Sequence, residues 1–167
     1  MQNIFKTIKK TEVCVQAEPN SIYAPVGGKT IPLSHVNDSM FARGLLGRGI
    51  AIRASSDVLY APVAGIITAV PESGHAVALQ SEEGLEVLLH IGINTVELKG
   101  ECFSPCVKKG DYVKIGQKLV EFDRKSIKRR GYDDVIMVVL TNSDEYEEVT
   151  VTADEKITKL QKIIGVK

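Results

Sequence analysis

Two of the three histidines, His75 and His90, stand at the ends of apolar runs that one short turn could fold together. Val87, Leu88 and Leu89 lead into His90 as a branched apolar strand. Alternation puts Val87, Leu89 and Ile91 on one face and Glu86, Leu88 and His90 on the other. The first set reads as core, the second as an outward face with an imidazole beside an apolar neighbour. Gly92 follows, where the chain can turn or let another group approach closely. His75 precedes a second strand reading, AVALQ, and Ser81 to Gly84 separates the two strands as a turn. With Glu82 and Glu83 at its centre, Val77 faces Leu88 and His75 faces His90 on one side of the sheet. A three-residue loop with Gly84 as a bulge would slip the register by one. The first register is preferred because it unites the rings.

Three chemistries suit two facing imidazoles. One ring could accept a phosphoryl group while the other supports it, since neutral imidazole is nucleophilic near neutral pH. Such a transfer asks mainly for in-line positioning and charge stabilisation. The rings could instead hold a metal. A catalytic zinc usually needs three protein ligands, which leaves His35 or Asp38 to complete the set, and the HxH pair of a barrel-type zinc peptidase is absent. The third reading is a hydrogen-bonded structural pair without chemistry.

The elements that position these rings read as strands. Short β-branched runs punctuated by Gly and Pro dominate before residue 120, the pattern of an all-β antiparallel sandwich or barrel with short helical segments. Ile22-Tyr23-Ala24-Pro25-Val26-Gly27-Gly28 recurs as Leu59-Tyr60-Ala61-Pro62-Val63-Ala64-Gly65, a duplicated motif inside one barrel. Between the copies, Asp38 can cap a short helix carrying Met40, Phe41, Leu45 and Leu46, broken by Gly47 and Gly49 before a strand from Ile50 to Arg53. Those apolar residues are either core or an adaptable apolar rim. Further strands fall around Tyr112 to Lys114, Lys118 to Phe122, Tyr132 to Thr141 and Glu148 to Thr152. Arg124 to Arg130 reads as a basic, solvated turn. The tail from Asp154 to Lys167 reads equally as a strand or a short helix.

Residues 1–20 are expected to form a weakly ordered N-terminal arm, and 21–167 one domain. Within the arm, Met1 to Lys10 could be a membrane-surface helix but reads better as a frayed terminus. Lys+Arg and Asp+Glu balance at 21 each, unlike the footprint of a nucleic-acid binder. Cys14, Cys102 and Cys106 are too few and wrongly spaced for a disulfide framework, which fits a reducing cytoplasm. No apolar run is long enough to span a bilayer, and no signal peptide opens the chain.

The ordered motifs YAPVxG, NDSMFARGLLGRGIAI, YAPVAG, SGHAVAL, VLLHIGINTVELKGE and VKKGDYVKIGQKLVEFD resemble the glucose-type enzyme IIA family of the bacterial sugar phosphotransferase system. The resemblance runs from about Tyr23 to Asp123, with a looser echo at Val135 to Asp144. It implies an antiparallel β-sandwich with a shallow apolar depression around two histidines. It also implies a phosphocarrier that takes a phosphoryl group from the histidine carrier protein HPr and passes it to a IIB cysteine, without metal or cofactor. By position, His90 matches the acceptor, His75 its supporting partner, and Ser73 the usual threonine whose hydroxyl orients that partner. Gly92 matches the residue whose carbonyl holds the acceptor ring. Asp38, Met40, Phe41, Leu45, Leu46, Leu88 and Asn94 fall on the expected docking face. Asn94 departs from the usual aspartate and Ser39 from an apolar residue, which makes the rim less acidic and more polar. Membrane contact would come only through the IIB and IIC transporter, regulatory partners are possible, and the opening methionine favours a free-standing chain. The alternatives are a zinc hydrolase of related fold and a regulatory binding module without transfer. The segment VKKGDYVKIGQKLVEFD is also similar to lipoyl and biotinyl carrier domains, but no lysine stands in the hairpin context they need.

Overall fold

A computed structural model describes residues 16–167. The expected arm, including Met1 to Lys10 and Cys14, lies mostly outside these residues. The described chain is an antiparallel β-sandwich. Its elements are β1 (Ser21–Tyr23), β2 (Gly28–Pro32), α1 (Ser39–Ala42), β3 (Arg48–Ala54), β4 (Val58–Tyr60), β5 (Gly65–Ala69), β6 (Ala76–Ser81) and β7 (Glu86–Ile91). They are followed by β8 (Phe103–Pro105), β9 (Tyr112–Val113), β10 (Lys118–Phe122), α2 (Arg124–Arg129), β11 (Ile136–Leu140), β12 (Val149–Val151), β13 (Lys156–Ile157) and β14 (Lys162–Val166). An eight-stranded sheet, ordered β13-β2-β3-β11-β7-β6-β5-β9, is joined by two three-stranded sheets, β1-β14-β12 and β4-β10-β8.

The duplicated motif is an internal two-fold. The Tyr23 N–H donates to the Pro62 carbonyl at 3.0 Å, and the Tyr60 N–H to the Pro25 carbonyl at 2.8 Å, so the two copies clasp each other. The tail carries a second duplication that the sequence reading missed. In Lys114-Ile115-Gly116-Gln117, the glutamine side chain accepts from the Lys114 N–H at 3.2 Å; Gln161 accepts from the Thr158 N–H at the same distance. Gly116 (φ +82) and Leu160 (φ +65) occupy equivalent left-handed positions. The tail is therefore two strands, β13 and β14, rather than a helix.

The large sheet has two unequal faces. Val87, Leu89, Ile91, Ile136, Val138 and Leu140 point into the main core and are at most 1% exposed. On the reverse face a small cluster of Leu33, Val36, Phe41, Ala51, Ile93, Val135, Met137 and Val139 is roofed by α1 and the 3₁₀ turn Leu33–His35. β11 is buried on both faces throughout, which explains its unbroken apolar run IMVVL. Asp38 starts α1 as expected, its Oδ1 accepting from the Met40 N–H at 2.9 Å.

Three expectations need correction. The β6–β7 turn is the three-residue loop: Gly84 adopts φ +96 and its N–H donates to the Ser81 carbonyl at 3.0 Å. A left-handed glycine closing such a loop fixes a bulged register, so Ala76, not His75, opposes His90, and Val77 opposes Leu89. The basic run Arg124–Arg129 is helix α2, capped by Asp123 and anchored by the fully buried Ile127. β3 begins at Arg48 and so contains Gly49.

Candidate functional site

His90 sits in the middle of the large sheet, paired with Ala76 of β6 on one side and Met137 of β11 on the other. Its ring points onto the reverse face, as alternation predicts. His75 lies just before β6, after Gly74 has turned the chain with φ +69, so strand alternation does not constrain its side chain. The register slip therefore does not part the rings. Their centroids are 4.9 Å apart with planes at 79°.

Each ring has a different anchor. The His90 Nδ1 lies 2.8 Å from the Gly92 carbonyl. A carbonyl only accepts, so Nδ1 carries the proton and Nε2 keeps its lone pair. The His75 Nδ1 lies 2.5 Å from the Ser73 hydroxyl, which can donate or accept. Burial and the nearby His75 ring push the His90 pKa down to about 4, against an upward pull from the Gly92 carbonyl and Asp38. Burial also lowers that of His75. At neutral pH His90 is thus a neutral imidazole with a fixed tautomer and a free nucleophilic nitrogen.

The residues expected on the docking face separate by depth. Phe41 is 4% exposed and meets His90 edge-on at 5.2 Å, so it is a buried wall of the site rather than a surface contact. Met40 and Leu45 are open, at 48% and 55%. Leu46 and Leu88 are half-buried and packed on the small cluster; Asp38 at the helix cap is half-buried too. Asn94 is exposed with φ +57, a conformation asparagine tolerates. Phe103, whose ring centre lies 6.5 Å from that of His75, was missed by the sequence reading, and no local pattern marks it. His35 is exposed, and among the described residues no three His, Cys, Asp or Glu side chains converge as a metal site. A groove of about 720 Å³ is lined by Phe41 together with Leu33, Arg48 and Val151. Neither histidine lines that groove.

A family model for the phosphoenolpyruvate-dependent sugar phosphotransferase system, EIIA 1, matches residues 20–146. The chain belongs to this family. EIIA is a phosphotransferase component, a phosphocarrier of that system. The glucose-specific EIIA component of Oceanobacillus iheyensis is 36% identical over 148 residues, covering 89% of this chain and 87% of that protein. The beta-glucoside-specific EIIBCA component of Dickeya chrysanthemi is 42% identical over 137 residues, or 82% of this chain. The chain spans only about a fifth of such fused relatives, 22% of that one and 20% of the beta-glucoside-specific EIIBCA component of Bacillus subtilis. The solved glucose permease IIA of Mycoplasma capricolum superposes with a TM-score of 0.78 at 30% identity, covering 86% of this chain and 93% of that one. Among the described residues no helix is long and apolar enough to cross a membrane.

Proposed function

We propose that Nε2 of His90 accepts a phosphoryl group from phospho-HPr and hands it to a cysteine of a IIB domain. The observation that carries this reading is the 2.8 Å contact from His90 Nδ1 to the Gly92 carbonyl, which leaves Nε2 as the only free ring nitrogen. In the loading step the Nε2 lone pair forms the new N–P bond as the donor's N–P bond breaks and returns its electron pair to the donor ring. The positive charge gained by the His90 ring is shared with Nδ1–H, and the Gly92 carbonyl accepts that hydrogen bond. In the delivery step a thiolate attacks phosphorus, and the electron pair of the breaking bond goes back to Nε2.

His75 stabilises the group in flight. When the Ser73 hydroxyl donates to Nδ1 of His75, that ring presents Nε2–H toward the phosphoryl oxygens. Donor and acceptor share one docking face, with the exposed Met40 and Leu45 as its open apolar residues and Asp38 and Asn94 as its polar rim. Phe41 shapes that face from beneath. The steps take place in the cytoplasm, with membrane contact only through IIB and IIC. The test mixes the chain with phosphoenolpyruvate, enzyme I and HPr, then with a panel of IIB domains. Acid-labile label that appears on the chain and moves to at least one IIB is expected; no labelling by phospho-HPr would overturn the reading.

A further inference from the structure

The Gly92 carbonyl can fix the His90 tautomer only if it is itself held in place. Gly92 is where β7 ends and the chain turns, with φ +78. Two peptide units meet there, and each has a polar end that could rotate. The first unit joins Ile91 to Gly92. Its N–H donates to the Val135 carbonyl at 2.7 Å, and its carbonyl accepts from the Thr95 hydroxyl. The second unit joins Gly92 to Ile93. Its N–H donates to the Asp133 carbonyl at 3.0 Å, and its carbonyl is the one that faces His90. Three of the four polar ends are thus tied to the scaffold, and the fourth is aimed by them.

Of the three ties, one alone comes from a side chain, that of Thr95. It is fully buried, and it also closes the glycine from the other side: a Cβ at position 92 would collide with its methyl. The Ile91 N–H in turn donates to the His75 carbonyl at 2.8 Å, so the residue that Thr95 grips is also bonded to the second histidine.

We infer that Thr95 is a positioning residue for phosphoryl transfer: its hydroxyl locks the Ile91–Gly92 peptide so that the Gly92 carbonyl holds the proton of His90 on Nδ1. This inference rests on His90 being the acceptor. Without the hydroxyl, the buried Ile91 carbonyl loses its partner and the peptide can rotate to find another. The His90 proton then redistributes between the two nitrogens, and a ring protonated at Nε2 has no lone pair there to attack phosphorus. Losing the outer partner of a metal-ligating histidine typically costs about 10- to 100-fold in metal affinity or activity, and a loss on the same scale is expected here by analogy.

The test compares Thr95→Val, which keeps the shape and loses the donor, with Thr95→Ser, which keeps the donor and loses the methyl. Ring-nitrogen NMR of the full chain at neutral pH reads the tautomer without any partner protein. The unsubstituted chain should show His90 protonated at Nδ1 alone. Thr95→Val should show a mixture, with phosphorylation by phospho-HPr slowed roughly tenfold or more, and Thr95→Ser should restore both. If Thr95→Val does not fold, Thr95→Cys supplies a weaker donor of similar size and should give an intermediate mixture. An unchanged tautomer in the donor-poor variants overturns the inference, whether or not the rate falls, because a slower rate alone would mean only that Thr95 supports the fold. Failure of phospho-HPr to label the unsubstituted chain would overturn the transfer reading instead, and leaves the tautomer result to judge Thr95.

Discussion

The end of β7 and the bend before β6 each carry one imidazole, and the two regions hold their rings by different means. His90 is set inside a strand paired on both sides, and its Nδ1 meets a backbone carbonyl that can only accept. His75 stands outside its strand, and its Nδ1 meets the Ser73 hydroxyl, which can reverse its role. The first ring has one tautomer and the second can adopt either. A nucleophile needs a nitrogen that is always free, whereas a supporting ring gains from a proton it can present or withhold as charge on the phosphoryl group changes. The ring centroids lie 4.9 Å apart while the anchors differ, so in the proposed transfer His90 is the acceptor and His75 the supporting ring.

The largest effect that would break this comparison is the loss of either ring. His90→Gln should abolish labelling by phospho-HPr. His75→Gln should still be labelled but deliver the group to IIB at least about a hundredfold more slowly, the scale for removing one oriented electrostatic contributor. Label retained in His90→Gln, or undiminished delivery by His75→Gln, would show that the asymmetry is wrongly drawn.

Removing the adjustable anchor should cost less. Ser73→Ala should slow delivery by roughly tenfold without changing the His90 tautomer, and Ser73→Thr should restore the rate. Rapid single-turnover transfer to IIB measures both.

Acidification sharpens the same contrast. The His90 pKa of about 4 in the folded chain lies below the ordinary value near 6.5 of the unfolded one. The unfolded state therefore takes up the proton first, so this contribution to stability is whole above about pH 6.5 and is lost as pH falls toward 4. Urea unfolding at neutral pH and at about pH 5 should show a smaller decline for His90→Gln than for the unsubstituted chain. An equal decline would place the His90 pKa near its ordinary value.

The smallest effect concerns the rim. Asp38→Asn should slow association with HPr severalfold at low salt and little at physiological salt, because screening removes exposed charge attraction beyond about 10 Å. Asn94→Asp should recover part of that rate. Stopped-flow association at several salt concentrations measures both, and a salt-independent loss would assign Asp38 to the α1 cap alone.

Much of the site was legible because its signals are local. The run VLLHI carries its own alternation, Asp38 caps the turn that follows it, and the YAPV copies declare the internal two-fold. The parts that were not legible depend on contacts between distant segments. Register was set by Gly84 entering the left-handed region, a choice between two turns that the residues SEEG permit alike. Phe41 is buried because the 3₁₀ turn Leu33–His35 and α1 fold back over Ala51 and Met137, which no periodicity within four helical residues reveals. The clamp on Gly92 comes from Val135 and Asp133, about forty residues away, and from a threonine that in sequence looks like an ordinary loop residue. The second duplication was hidden because Leu160 stands where the first copy has Gly116.

The most direct test of the central claim is the position of the phosphoryl group itself. The chain is loaded by phospho-HPr with ring-labelled histidine, and nitrogen–phosphorus coupling is read by NMR together with peptide mapping. Phosphate is expected on Nε2 of His90, with Nδ1 still protonated. Phosphate on His75, or on Nδ1 of His90, would contradict that claim.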